Sequence, residues 1–221
     1  MKTSESVQDY LKAIYSLTES GAEVTTSAIA QRLQISPASV TAMVKRLAEN
    51  GHLRHQRYRG VELTESGLAL ALEVIRHHRL LEAYLHKSLG VSWDKVHDEA
   101  EVLEHAISED LEDRISAALG NPSHDPHGDP IPPKRGKPKV VHHSPLAESA
   151  AGPAKVERVS DRDPAALRYL GKLGLRPGAS ITVDEQSPFG GPVWVKVGKK
   201  RHAVGRELAG LIYVSRPGAA G

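Results

Sequence analysis

The segment KVHDEAEVLEH, residues 95–105, places two histidines and four carboxylates within eleven positions. Wound as a helix at 100° per residue, His97, Glu101, Glu104 and His105 fall within one stripe about 100° wide. Such a stripe is normally the buried, apolar one. Carboxylates gathered there repel one another and raise one another's pKa unless a cation compensates them. His78 and Glu82 form a second imidazole–carboxylate pair at i, i+4 spacing on the preceding helical stretch. The donors are nitrogen and oxygen only, because the chain has no cysteine. That set suits Mn(II) or Fe(II) rather than Cu(I), with Zn(II), Co(II) or Cd(II) able to substitute. Read blandly, the same residues are a solvated acidic face; the matching pair on a second helix favours a metal centre.

Familiar catalytic signatures fail on residue identity. A zinc-protease helix needs His-Glu-x-x-His, but His97 is followed by Asp98 and position 101 is Glu. A carboxylate-bridged di-iron site needs Glu-x-x-His, and three residues before His105 stands Val102. No glycine-rich phosphate loop or nucleophile elbow is present. We expect no enzyme and no small-molecule substrate.

The elements that must position these residues read in order. Residues 4–18 have helical periodicity in Val7, Tyr10, Leu11, Ile14 and Tyr15. TTSAIAQRL is a second helix, and SPASVTAMVKRLAENG a third, with Ser36 as N-cap, Pro37 in the first turn and Gly51 as stop. HLRHQRYRGVELT alternates around Gly60 as a hairpin. A long helix follows from Thr64 or Ser66 to about Leu89, then the donor-rich helix, then SEDLEDRISAAL capped by Ser108. From Asn121 to about Pro153 the composition turns to Pro, Gly, His and Lys, and reads as linker; His124, His127, His142 and His143 are expected to be solvated there. Beyond it, short β-type runs punctuated by Gly and Pro indicate a small barrel. The net charge of +2 conceals an acidic middle between two basic ends. The start of the chain lacks a signal-peptide pattern and there is no long apolar run, so a cytoplasmic protein without membrane contact is expected.

Helix, short turn, amphipathic helix and basic hairpin follow the order of a winged helix-turn-helix. Small polar residues at the front of the third helix (Ser36, Pro37, Ala38, Ser39, Thr41), with Ser27 on the second, allow close approach to duplex DNA. Lys45 and Arg46 add phosphate contacts, and Arg57 and Arg59 stand in the wing. The modest charge of this region calls for a homodimer reading two half-sites.

Nearly the whole chain resembles the metal-dependent repressors named after the diphtheria toxin repressor. The likeness is carried by YLKAIYSL, SPASVTAMVKRLAENGHL, LTESG, HHRLLEAYL, KVHDEAEVLEH, PHGDPIP and LRYLGKLGLRPGASITV through HAVGRELAGLIYV. It implies a mainly α protein with small β parts: a winged helix-turn-helix over 1–64, a helical dimerisation and metal-binding domain over 65–140, a linker over 141–154, and an SH3-like (FeoA-like) β-barrel over 155–221. It also implies a primary metal site of Asp9, Glu101, Glu104 and His105, and an ancillary site of His78, Glu82 and His97. The barrel would add an oxygen to the latter from Asp161 or Asp163. Iron-responsive relatives carry Met and Cys where this chain has Asp9 and Glu101, so the resemblance is to the manganese-responsive branch. Two departures stand out. Lys12 replaces an acidic ligand of the two-domain manganese regulators, and Ala42 replaces a base-contacting Gln of some members. The implied function is a Mn(II)-activated, homodimeric repressor of metal-uptake genes acting on a palindromic promoter operator. The alternatives are an Fe(II)-responsive regulator of the same family and a metal storage or carrier protein.

Overall fold

The computed structural model describes residues 4–56, 60–136, 138 and 143–216. Arg57, Arg59 and His142 lie outside the described residues. The chain divides into two compact units. The first holds residues up to His77 together with 104–107 and 132–135, and the second holds 78–103, 108–131 and 136 onward.

In the first unit, α1 (Glu5–Glu19), α2 (Thr26–Leu33) and α3 (Pro37–Glu49) precede the hairpin β1 (Leu53–Gln56) and β2 (Gly60–Leu63). α4 (Glu65–Leu89) begins here and continues into the second unit. The local chemistry sets the boundaries. The Thr25 hydroxyl accepts from the Ala28 N–H, and the Ser36 hydroxyl from the Ser39 N–H at 3.2 Å, each satisfying a first-turn donor. Gln34, at φ 55°, turns the chain between α2 and α3. Leu11, Ile14, Ile29, Val40 and Leu47 are completely buried, with Ala71, Leu72 and Ile75 of α4 completing the same core. The packing of one apolar stripe from each helix, rather than intrinsic propensity, holds so short a helix as α2. Gly60 adopts φ +81°, and a Cβ there would lie 2.0 Å from the Val24 carbonyl oxygen, so only glycine fits this approach of the wing.

In the second unit α4 is followed by α5 (Val96–Leu103) and α6 (Glu109–Ala118), the latter capped by Ser108. A six-stranded antiparallel sheet then forms in the order β3-β8-β4-β5-β6-β7. Its strands are β3 (Ser144–Pro145), β4 (Gly152–Val159), β5 (Ser180–Gln186), β6 (Val193–Val197), β7 (Lys200–Val204) and β8 (Ile212–Ser215). α7 (Pro164–Leu173) lies between β4 and β5, and α8 (Arg206–Ala209) between β7 and β8. Val156, Val159, Leu167, Leu170, Val193, Val195 and Ile212 form its core, and Trp93, from the turn before α5, is part of the same cluster. The stretch expected to be linker thus already carries β3 and the start of β4. Among the described residues of that stretch, the Pro- and Gly-bearing positions include a short edge strand and turns.

A second difference concerns α5. The helix ends at Leu103, and Glu104 and His105 lie in the turn that follows. His97 and Glu101 belong to the second unit, and Glu104 and His105 to the first.

Candidate metal centre

In the first unit, donor atoms of Asp9, Glu104 and His105 all lie within 4.8 Å of one another. His105 Nε2 stands 2.9 Å from Asp9 Oδ1 and 3.6 Å from Glu104 Oε1. The opposite ring nitrogen, Nδ1, is 2.7 Å from Gln8 Oε1, an acceptor, so Nδ1 carries the proton. Nε2 then faces carboxylate oxygens, an arrangement satisfied by a proton or a cation between them. Glu104 is fully buried, and its backbone carbonyl accepts from His77 Nδ1 at 3.2 Å. Its two carboxylate oxygens accept from Lys12 Nζ at 2.9 and 2.7 Å.

In the second unit, donor atoms of His78, Glu82, His97 and Asp161 converge within the same limit, as do those of Glu82, Asp125 and His127. Glu82 is the common member and is fully buried. Its Oε1 lies 3.2 Å from His78 Nε2, 3.4 Å from His97 Nδ1 and 3.6 Å from His127 Nδ1. Despite this crowding, neither Glu82 oxygen nor His127 Nδ1 makes a well-directed hydrogen bond among the described residues. Buried polar atoms without partners are costly. Three ring nitrogens aimed at one carboxylate fit ligation of a divalent cation, with the carboxylates offsetting its charge.

The pKa values follow from this crowding. Burial alone would raise Glu82, but His127, His78 and His97 hold it well below the carboxylate range. For His97 burial acts downward, yet Asp161 and Glu82 outweigh it and push the ring up to about 10. His127 is pushed up to about 9, burial again being overcome by Glu82. Asp161 is held below its ordinary value because His97 outweighs its burial. Asp125 is raised by burial and by the charges of Glu82 and Asp129.

Of the two barrel candidates, Asp161 faces the cluster, with Oδ2 3.1 Å from His97 Nδ1. Asp163 is instead the N-cap of α7, its Oδ1 accepting from the Ala165 and Ala166 N–H groups at 2.8 and 3.2 Å. Glu101 lies in the second unit, its Oε1 3.8 Å from His78 Nδ1 and 3.7 Å from His97 Nε2. His127 and Asp125 are the residues that sequence reasoning missed. His127 is completely buried, not solvated, with Nε2 2.6 Å from the Trp93 carbonyl oxygen and its ring stacked on Trp93 at 5.9 Å. His124 is exposed and His143 half-buried.

On the DNA-facing side, Ser27, Ser36, Pro37, Ala38, Ser39, Thr41, Lys45 and Arg46 are all exposed. The exposed front of α3 presents small side chains outward, which suits close approach to a groove. In the described part of the wing, Arg54 is paired with Glu62 at 3.1 Å. Among the described residues no helix is long and apolar enough to cross a membrane.

Fold and donor clusters define a DNA-binding regulator that answers to a metal ion. Family models agree along the chain. Residues 2–61 match the iron dependent repressor N-terminal DNA-binding domain, 64–133 its metal-binding and dimerisation domain, and 145–216 the FeoA domain. The iron-dependent repressor IdeR of Mycobacterium tuberculosis (strain ATCC 25618 / H37Rv) is 33% identical over 225 residues, covering 96% of this chain and 97% of the relative. Among solved structures, a manganese-dependent transcriptional repressor in complex with manganese superposes with a TM-score of 0.88 at 39% identity, covering 94% of this chain and 98% of that one. ScaR with bound Cd2+ gives 0.82 at 34% identity, with 96% and 99% covered. The chain belongs to the iron-dependent repressor family, that of the diphtheria toxin repressor. It is a metal-dependent transcriptional repressor that binds DNA and carries the family's dimerisation domain, and it is not an enzyme.

Proposed function

We propose that the protein is a Mn(II)-activated repressor of metal-uptake genes, acting in the cytoplasm as a homodimer on a palindromic operator. The observation that carries the choice of ion is the donor set: Asp9, Glu104 and His105 offer oxygen and imidazole nitrogen where a softer ion would call for sulfur. The 39% identity to a repressor solved with manganese points the same way. In this reading Asp9, Glu104 and His105 hold the regulatory ion, and His78, Glu82, His97, Asp161 and His127 hold an ancillary one. Glu101 is a further carboxylate beside His78 and His97.

Bound, the ion supplies a positive charge that lets buried carboxylates stay ionised at short separation. The chain's residues do the rest. Asp9 projects from α1, which packs on α2, so drawing its carboxylate toward Glu104 and His105 fixes the helices that carry the recognition helix α3. Gln8 holds the His105 ring in the tautomer with Nε2 available. His77 fixes the Glu104 carbonyl. Metal acts by binding this arrangement better than a looser one, a coupling of roughly 1–3 kcal/mol per site. Ser36, Ala38, Ser39 and Thr41 would then enter the major groove, with Lys45 and Arg46 on phosphates.

The deciding experiment is a metal-by-metal titration of binding to the DNA upstream of the protein's own gene. Tight binding with Mn(II) that chelator abolishes is the expected result. Equal affinity with chelator and with Mn(II) would end the proposal, and activation by Fe(II) alone would assign the protein an iron response.

A further inference from the structure

The ion pair between Lys12 and Glu104 is the feature that the proposed mechanism does not use. Glu104 is buried, its side chain wholly inaccessible, and both of its oxygens accept from the Lys12 ammonium, at 2.9 and 2.7 Å. The Lys12 side chain is 17% exposed and rooted one helical turn after Asp9, on the same face of α1. A divalent ion bound by Asp9, Glu104 and His105 needs an oxygen that Lys12 now holds.

We infer that Lys12 is a built-in competitor for Glu104 that sets the metal concentration at which the regulatory site fills. The inference rests on the reading of Asp9, Glu104 and His105 as that site. With a neutral His105, the cluster of Asp9, Glu104 and Lys12 carries one net negative charge, and a divalent ion turns it net positive. Without the ammonium, the same ion would only neutralise it. Lys12 therefore opposes the ion electrostatically within a partly buried site, where bulk salt screens weakly. It also contributes to the metal-free protein, because its ammonium supplies positive charge at hydrogen-bond distance to a wholly buried carboxylate. A lysine suits both tasks. Its four-carbon stem lets the ammonium leave one oxygen while its root stays in place, and its compact charge is readily hydrated. The threshold is thus set by a residue that is not itself a ligand.

The test compares the full-length protein with Lys12→Met, Lys12→Gln and Lys12→Arg, each in a His97→Ala background that disables the ancillary cluster. Free Mn(II) is counted by electron paramagnetic resonance during titration, and melting of the metal-free proteins is followed by circular dichroism. Removing the charge should tighten Mn(II) binding on the order of tenfold or more. It should also lower the metal-free melting temperature, while Lys12→Arg keeps the wild-type affinity. Should the Met variant fold poorly, the Gln variant carries the same expectation. Equal or weaker Mn(II) binding by folded Met and Gln variants would overturn the inference, leaving Lys12 a support of the site. Undiminished Mn(II) binding by Glu104→Gln in the same background would instead overturn the assignment of the ion to this cluster.

Discussion

His127 donates from Nε2 to the carbonyl oxygen of Trp93 at 2.6 Å, which fixes the tautomer and turns Nδ1 toward Glu82. A ring so held has Nδ1 oriented toward Glu82 before any ion arrives, the arrangement that raises ligand basicity in metal sites once the Nδ1 proton is released. The partner atom is anchored in turn: Trp93 lies in the barrel core, beneath Arg176 at 4.6 Å and against Gly171, where a Cβ would crowd the indole. His127→Phe preserves bulk and removes the donor. It should weaken the ancillary ion by about 10–100-fold while leaving the cluster of Asp9, Glu104 and His105 able to bind. Calorimetric Mn(II) titrations resolving two classes of site would show this, and equal loss from both classes would count against the assignment.

Proton release gives an independent measure. In the metal-free protein the burial of His97 and His127 is outweighed by Asp161 and Glu82, which push the rings up to about 10 and 9. Both rings are then protonated at neutral pH and must lose their protons to coordinate. Ancillary-site affinity should rise with pH by about tenfold per unit for each proton released, continuing to about pH 9 for His127 and about pH 10 for His97. An unperturbed imidazole would level off near pH 6.5. Metal-free stability runs the other way. A raised histidine pKa contributes stability that is complete below about 6.5 and is lost as pH rises through about 9 and then 10. Affinity that flattens above pH 7, or proton uptake on binding, would refute this account.

Much of this was legible in the sequence where one physical signal dominates. Ser36 and Pro37 marked the start of α3, and the periodicity of Leu11 and Ile14 marked the buried face of α1, because capping and burial act locally. The pairing of His78 with Glu82 was visible for the same reason, since i, i+4 spacing is a property of one helix. What was hidden depends on contacts distant in sequence. The end of α5 at Leu103 left no break in the pattern of KVHDEAEVLEH. His127 looked like linker because its neighbours are Pro, Gly and Asp. Yet those residues build a tight turn, in which Asp125 Oδ1 accepts from the His127 and Asp129 N–H groups at 2.8 and 3.0 Å. The repeated Asp spacing of HDPHGDP, together with its place in the family resemblance, was the available signal for an ordered loop.

Gly128 tests that loop directly. Its φ is +89°, and a Cβ there would fall 1.9 Å from the Glu157 carbonyl oxygen on β4. This approach lets the His127 carbonyl accept from the Val159 N–H at 2.8 Å and seats the loop on the barrel. Gly128→Ala should cost roughly 1–3 kcal/mol from the backbone conformation alone, and more from the overlap. It should lower the melting temperature and reduce ancillary-site binding as His127 is displaced. A variant with wild-type melting and wild-type metal affinity would show that the approach is dispensable.

The apolar residues left exposed in the second unit bear on dimerisation. Leu89, Val102, Leu103 and Leu111, at the ends of α4 and α5 and the start of α6, are 61%, 76%, 38% and 45% exposed. Exposed large aliphatic residues grouped on successive helices are the composition of a subunit interface. Leu111→Asp should shift the dimer toward monomer by about tenfold or more in dissociation constant, read by sedimentation equilibrium. An unchanged sedimentation profile would move the interface to another face.

Asp9 decides the ion. It supplies a hard carboxylate oxygen 2.9 Å from His105 Nε2, and its side chain is 41% exposed, so a longer unbranched residue can be accommodated there. Asp9→Met replaces oxygen with thioether sulfur, a softer donor that binds Mn(II) poorly. It also removes one negative charge beside Glu104, which weakens every divalent ion to a similar degree through simple electrostatics. The informative quantity is therefore the ratio of affinities, in which the common charge term cancels. We expect Asp9→Met to shift the ratio of Fe(II) to Mn(II) activation of DNA binding toward Fe(II) by roughly tenfold, the size of a small change in ligand preference. Anaerobic titrations of operator binding with each ion would measure it. If both ions weaken by the same factor, Asp9 contributes charge but no selectivity, and the choice of metal lies with Glu104 and His105.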